Sequence, residues 1–309
     1  MTAVWIILAA LLAVVLLGTV LFLIACRRGP VPDLTKPEVI AKWGRAEQTE
    51  EILAGVRLMQ DAENIFLPSY DGLRLHGRLL QQPGAKGTIL LFHGYRSSWV
   101  IDFSIVLPYY FTLGYNLLAV DERAHGESEG TYITFGVRER MDVISWATYM
   151  GQKLGQDAPL ILGGLSMGAT TVLMASCFEF PANVRAIIAD CGFTSPYEIA
   201  KSVLRRDYPR LPVGLLLPIC GLFTRLFAGF GLHDASTLDA VRESRYPILF
   251  IHGTGDTFVP CEMTKEAYAA CTSEKELILV DSAEHGKSYL VEKGRVEEAL
   301  CRFLATHTE

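Results

Sequence analysis

Ser166 stands between Gly164 and Gly168 in the run LILGGLSMGATTVLM (160–174), where an apolar stretch passes through closely spaced glycines and turns apolar again. A serine hydroxyl attacks a carbonyl only when a neighbouring base takes its proton and a third group holds that base in the right tautomer. The five residues 164–168 fit the G-x-S-x-G pattern of a nucleophile on a sharp strand-to-helix corner. Glycine is needed there because a side chain at 164 or 168 would crowd the neighbouring strand and helix. A helix opening at Met167 would offer backbone N–H groups and the positive end of its dipole to a developing negative charge.

The base must come from elsewhere in the chain. Downstream of Ser166 lie His233, His252, His285 and His307. His285, in DSAEHGKSY, follows the last apolar run, where a loop could reach back to the serine, and it is the expected base. His307 is close to the chain end and is expected to fray. His252 closes a strand and is expected to shape a backbone turn, and His233 falls in an insertion. For the acid, Asp256 sits on the glycine-flexed turn of HGTGDTFVP (252–260). Asp190, after RAIIA, is the alternative carboxylate, or else a structural one. Asp281 and Glu284 flank His285 too closely in sequence and are expected to be solvated. Two donors are required for the oxyanion of acyl transfer. The N–H of Met167 is one, and the N–H of Tyr95 in HGYRSSW (93–99) is the other, with Gly94 permitting close approach and His93 organising the loop. Neither cofactor nor metal is expected, since no pair of His or Cys has ligand spacing that competes with this assignment.

Short apolar runs must carry these residues. NIFLPS and LRLHGRLLQ (73–81) flank Asp71 and Gly72, a hairpin signal. TILLFHG (88–94), YNLLAVDER (115–123), PLILGGLS (159–166), VRAIIADC (184–191), YPILFIHG (246–253) and KELILVDSAEH (275–285) follow. Most are rich in Val, Ile and Leu without alternation, and helix-length segments such as 138–154 and 168–178 separate them. That pattern predicts an α/β fold, a mostly parallel eight-stranded sheet flanked by helices. His93, Asp121, Ser166, Asp190, Asp256 and His285 all fall at or just after the run ends, so they should converge at the carboxyl edge of the sheet.

The hydrolytic domain is expected over 62–309, with a helical insertion at about 193–243. The insertion contains LPVGLLLPICGLFTRLFAGFGL (211–232), with Arg225 its only charge. It is either a set of helices packing apolar faces on the domain or a cap that lines an acyl pocket and leans on a bilayer. Residues 1–28 form a second kind of material. From Thr2 to Cys26 there is neither charge nor proline, and at about 1.5 Å per residue the stretch crosses a hydrocarbon core of about 30 Å. A single transmembrane anchor is expected. A cleaved signal would want basic residues before the run, and LIAC (23–26) resembles a lipobox with Cys26 as the lipidated residue. Residues 29–61 are expected to be a proline-rich linker and a polar helix. Arg27, Arg28, Lys36, Lys42 and Arg45 follow the span and place the domain on the cytoplasmic side. Seven cysteines with no CxxC pair form no obvious disulfide framework. A net charge of −6 argues against a nucleic-acid partner.

On HG at 93–94, DERAHGESEG at 121–130, GLSMG at 164–168, HGTGD at 252–256 and EHG at 284–286, the chain resembles the α/β-hydrolase superfamily over about residues 62–306. Within it, the chain is similar to the membrane-anchored bacterial branch that looks like esterases and serine peptidases. The resemblance implies Ser166 as nucleophile, Asp256 as acid and His285 as base, with Asp121 and Arg123 stabilising loops. Ala124 stands where glycine is common and Glu284 where glycine often precedes the histidine; neither removes a chemical group. The expectation is a membrane-anchored serine hydrolase that cleaves carboxylic esters of a small-molecule or lipid-like acyl substrate. A serine peptidase or lysophospholipase would use the same three residues. A non-catalytic membrane scaffold on the same fold is the rival of a different class.

Overall fold

Strands without alternation form where both faces of a sheet are covered. In the computed structural model, which describes residues 2–30, 36–42 and 45–308, eight strands make one sheet. They are β1 (Glu63–Pro68), β2 (Arg74–Leu80), β3 (Gly87–Phe92), β4 (Tyr115–Asp121), β5 (Leu160–Leu165), β6 (Val184–Asp190), β7 (Ile248–Gly253) and β8 (Lys275–Val280). Their order is β1-β2-β4-β3-β5-β6-β7-β8. The β1–β2 and β2–β4 pairs are antiparallel and the rest are parallel. Every residue of β3, β4 and β7 is buried, the physical counterpart of their unbroken apolar runs.

The helices are α1 (Thr2–Cys26), α2 (Pro37–Lys42), α3 (Thr49–Leu58), α4 (Trp99–Phe103), α5 (Leu107–Thr112), α6 (Glu139–Leu154) and α7 (Met167–Ala175). After the sheet's midpoint come α8 (Pro196–Asp207), α9 (Val213–Phe223), α10 (Thr237–Glu243), α11 (Cys261–Ala270), α12 (Ser288–Val291) and α13 (Lys293–Thr308). Alternate strand residues feed two cores. Leu91, Ile161, Ile188 and Ile251 face Ile52 of α3, Phe103 of α4 and Phe303 of α13. Leu90, Phe92, Leu162 and Phe250 face Trp146 of α6, Val172 of α7 and Ala267 of α11. The polar stretch after α1 thus packs on the domain through Ile40, Ile52 and Met59; its residues 31–35 and 43–44 lie outside the described ones. His307 does not fray: α13 runs to Thr308, with the His307 ring against Phe303 at 4.6 Å.

From β3 the chain passes to β4 on one side and later to β5 on the other, so the ends of β3 and β5 bracket a crevice at the switch in strand order. Over that edge lies the insertion. It holds α8, α9 and a π-helical turn, Thr224–Ala228, that ends on left-handed Gly229 (φ 67°). The helix α10 belongs instead to the layer on the sheet, since Val241 packs with Val172 and Ile248. The helix α1 is long and apolar enough to cross a bilayer, with mean hydropathy 3.1 over its most apolar window, a property an anchor shares with a signal sequence. Its second half packs on the loop between β4 and α6 and on the insertion: Phe22 meets Tyr132 of the loop at 4.9 Å and Phe227 of the insertion at 5.6 Å between ring centroids.

Candidate active site

Ser166 joins β5 to α7 with φ 56° and ψ −113°. A non-glycine residue in this region carries about 1–3 kcal/mol of strain, so its surroundings must hold it there. The Ser166 N–H donates to the Asp190 carbonyl at 2.8 Å, extending the β5–β6 ladder, and the Ser166 carbonyl accepts from Thr170 N–H at 3.0 Å. The flanking glycines are demanded by contact. A Cβ on Gly164 would lie 2.3 Å from the Gly168 carbonyl group, and one on Gly168 would lie 1.8 Å from the Phe92 carbonyl oxygen.

The loops after β7 and β8 bring two further side chains to Ser166. His285 Nε2 lies 2.9 Å from Ser166 Oγ, and His285 Nδ1 lies 2.6 Å from Asp256 Oδ2. Asp256 is fully buried at its side chain, whereas His285 keeps a quarter of its side chain exposed. Burial alone would raise the Asp256 pKa, but hydrogen bonds from His252 and His285, the positive field of His285 and backbone N–H groups hold it well below the usual carboxylate range. The backbone donors are Phe258 N–H at 2.8 Å and Val259 N–H at 2.9 Å, both to Oδ1. An ionised Asp256 requires the proton of His285 on Nδ1, which leaves Nε2 to accept the serine proton.

His252 contributes more than a turn. Its Nε2–H is shared between Asp256 Oδ2 at 3.1 Å and the Val259 carbonyl at 3.0 Å, while Nδ1 lies 2.6 Å from Thr264 Oγ1. Asp190 sits beside the site without joining it: its Oδ1 accepts from Ser288 Oγ at 3.3 Å, and burial pushes its carboxyl up to about 6. The Cys191 thiol comes within 4.8 Å of the Asp256 and His285 donor atoms, but that carboxylate and imidazole already face each other. Glu284 is exposed and paired with Lys287, and Asp281 accepts from Thr254.

The loop after β3 is held from several sides. Gly94 N–H donates to Asp102 Oδ2 at 2.6 Å and Arg96 N–H to His125 Nε2 at 3.0 Å. His93 Nδ1 donates to the Gly94 carbonyl at 2.8 Å, and its Nε2 accepts from Glu122 N–H at 3.1 Å. Burial and the neighbouring His93 lower the His125 pKa to about 3, which keeps its acceptor nitrogen free of a second proton. The end of α1 closes the loop from above. Tyr95 hydroxyl donates to the Ala25 carbonyl, and the Arg96 guanidinium donates to the Ile24 carbonyl at 2.8 Å and the Arg27 carbonyl at 2.9 Å. The loop touches the serine directly, since a Cβ on Gly94 would lie 3.4 Å from Ser166 Cβ. On the far side of His285, buried Arg45 donates to the Gly286 carbonyl at 2.9 Å. Asp121 and Arg123 brace the neighbouring loop through His76, Asp71 and Asp142. Beside Ser166, Met167, Ala124, Phe193, Ile199 and Val259 form an apolar cluster.

Comparison with known proteins gives a family match and two kinds of relative. The alpha/beta hydrolase fold family matches residues 87–210. The protein YqkD of Bacillus subtilis is 29% identical over 238 residues, 77% of each chain. Lysophosphatidylserine lipase ABHD12 of Danio rerio is 28% identical over 170 residues, 54% of this chain and 42% of that one. Among solved structures, the Pyrococcus furiosus esterase Pf2001 superposes with a TM-score of 0.65 at 23% identity, covering 81% of this chain and 92% of the other. At that identity the likeness is one of fold.

Proposed function

The chain belongs to the α/β-hydrolase superfamily, and on that premise we propose that it is a serine hydrolase of carboxylic esters, held at a membrane by α1. The observation that carries the reading is the hydrogen-bonded chain from Ser166 Oγ through His285 to Asp256, with links of 2.9 and 2.6 Å.

Ser166 Oγ attacks the ester carbonyl carbon and passes its proton to His285 Nε2. Asp256 holds the Nδ1–H and stabilises the imidazolium that results. The carbonyl oxygen becomes an oxyanion between the N–H groups of Met167 and Tyr95. Met167 opens α7, so its N–H has no acceptor within the helix. Gly94, Arg96 and Ser97 already donate their N–H groups to Asp102, His125 and the Gly94 carbonyl, which favours Tyr95 as the second donor. The C–O bond then breaks, and the alcohol leaves with the proton from His285. A water gives a proton to His285 and attacks the acyl carbon; the acid departs and Ser166 recovers its hydrogen. The apolar cluster beside Ser166 favours an acyl group over a peptide, and the lysophosphatidylserine lipase among the relatives agrees with a lipid-like ester.

The packing of α1 favours its retention. Phe22 and Cys26 are buried against the domain, and the Cys26 carbonyl accepts from Ile133 N–H at 2.7 Å. Cleavage as a signal, or lipidation at the Cys26 thiol, would strip that contact away. The basic residues that follow α1 favour the cytoplasmic side for the domain.

The test is labelling of the full chain in detergent with a fluorophosphonate probe beside Ser166→Ala. Labelling that disappears in the variant is expected. A folded wild-type chain that stays unlabelled in both detergent and vesicles would sink the enzyme and leave the scaffold.

A further inference from the structure

The insertion presents an apolar stripe that none of the described residues covers. Leu215, Leu222 and Leu226 are 62, 55 and 65% exposed, and Leu211 and Phe227 are also exposed. Leu215 and Leu222 share one face of α9 by their spacing, with Leu211 just before the helix and Leu226 in the π-helical turn after it, while Leu216, Leu217 and Phe223 elsewhere on α9 are buried. The one charge in the run, Arg225, pairs with Asp234 at 2.7 Å. A stripe this apolar on a lone soluble surface calls for a partner.

The geometry of α1 names it. From residue 2 to residue 17 the described side chains are all exposed, and thereafter Gly18, Phe22 and Cys26, one face of the helix, are buried in the domain. The free stretch of sixteen residues is about 24 Å long, short of a hydrocarbon core of about 30 Å. The helix stays apolar through Gly18 and Phe22 to Cys26, so a bilayer spanned by α1 reaches that depth. At that depth Gly18 faces the Phe223 ring of α9, so the stripe meets the same lipid. Arg205, Arg206, Tyr208 and Arg210 precede the stripe, all exposed, and arginine and tyrosine are the side chains that settle at the headgroup level.

An apolar route links this surface to the nucleophile. Along α8, Ile199 and Val203 pack with Met167 and Phe193, next to Ser166. On the same helix Ala200 and Leu204 pack with Leu217 and Phe22. We propose that α9 and the π-helical turn lie in the interfacial layer of the membrane that holds α1, and that Ser166 takes its ester from that leaflet. The substrate class is an amphiphilic ester whose acyl chain stays in apolar contact from lipid to serine. The substrate half rests on the serine-hydrolase reading above; the seating half does not.

The experiment uses the full chain in phosphatidylcholine vesicles. With Cys177, Cys220 and Cys301 replaced by serine, a single NBD-labelled cysteine is placed by Leu215→Cys, by Leu222→Cys, or by Asp157→Cys at the opposite edge of the sheet. Shallow doxyl-labelled lipid is expected to quench the first two and not the third. In parallel, Leu215→Glu/Leu222→Glu/Leu226→Glu is expected to lower hydrolysis of a long-chain monoacylglycerol in the vesicles by about tenfold or more, with p-nitrophenyl butyrate hydrolysis held within about twofold. The soluble ester also reports that the variant folds. Labels at 215 and 222 that lipid does not quench would overturn the seating, including the case in which they are shielded by a second copy. Equal loss on both esters, or no loss on either, would overturn the leaflet route. A wild-type chain inactive on both esters but still quenched would overturn the hydrolase reading and leave the seating standing.

Discussion

The Tyr95 hydroxyl donates to the Ala25 carbonyl at 2.7 Å, so the loop over Ser166 is tied to the last turn of α1. Carbonyls at a helix C-terminus lack intrahelical donors, and Tyr95 and Arg96 supply them here. Burial pushes the Tyr95 phenol up to about 12, so it remains a donor across the working pH range. Tyr95→Phe in the full chain keeps the backbone N–H and the ring stacked on Phe135, and removes only the tie. The expected result is a fall in kcat of about three- to tenfold, the value of one hydrogen bond, with KM nearly unchanged. A wild-type kcat would show that the loop is positioned without α1.

Two carboxylates compete for the role of acid, and an amide at each separates them. Asp256→Asn would present His285 with the wrong hydrogen-bond pattern and is expected to lower kcat by about 10⁴-fold. Asp190 reaches only Ser288 among the described residues, so Asp190→Asn is expected to stay within about tenfold of wild type. The reverse ranking, from steady-state kinetics on one ester, would make Asp190 the acid.

The sheet was legible in the sequence because strands covered on both faces lose their alternation, as β3, β4 and β7 do. The corner at Ser166 was legible because only glycine fits at 164 and 168. What stayed hidden depends on tertiary contact. His252 turns its ring onto Asp256 across a tight loop, a pairing that residue type does not announce. Arg45 reaches Gly286 across 241 positions of chain, and the carbonyls of Ile24, Ala25 and Arg27 have no signature at all. His307 stays ordered because Phe303 and Tyr115 give the end of α13 something to hold. Ala124 adopts φ 61°, a left-handed backbone conformation that glycine would take up at less cost.

Glu122 makes stability depend on pH. It is buried, its Oε1 has no hydrogen-bond partner among the described residues, and its Oε2 accepts from Thr171 Oγ1 at 3.3 Å. Burial, then the charges of Glu139 and Asp142, raise its pKa well above the ordinary 4.5. The folded chain therefore keeps a proton that the unfolded chain loses above that ordinary value. Stability from this group is present below it and declines as pH rises toward the folded pKa, at up to about 1.4 kcal/mol per pH unit. Glu122→Gln is expected to raise Tm at about pH 8 and to change it little at about pH 4. An equal shift at both pH values would mean that folding leaves the pKa of this carboxyl unchanged.

A methyl group at position 168 tests the corner itself. Its carbon would lie 1.8 Å from the Phe92 carbonyl oxygen, a backbone atom of β3 that has no rotamer to change. Either α7 lifts from the sheet or Ser166 leaves its strained conformation, so Gly168→Ala is expected to cost about 3 kcal/mol or more. Position 163 gives the contrast. There the nearest atom, at 2.8 Å, is the end of the Leu91 side chain, which can rotate, and Gly163→Ala is expected to cost about 1 kcal/mol. Urea unfolding of the full chain in detergent measures both, and fluorophosphonate labelling of the folded fraction reports the corner. Equal costs with unchanged labelling would mean that the backbone around Ser166 yields freely, and the strain at that residue would then not be held by the packing of α7 on β3.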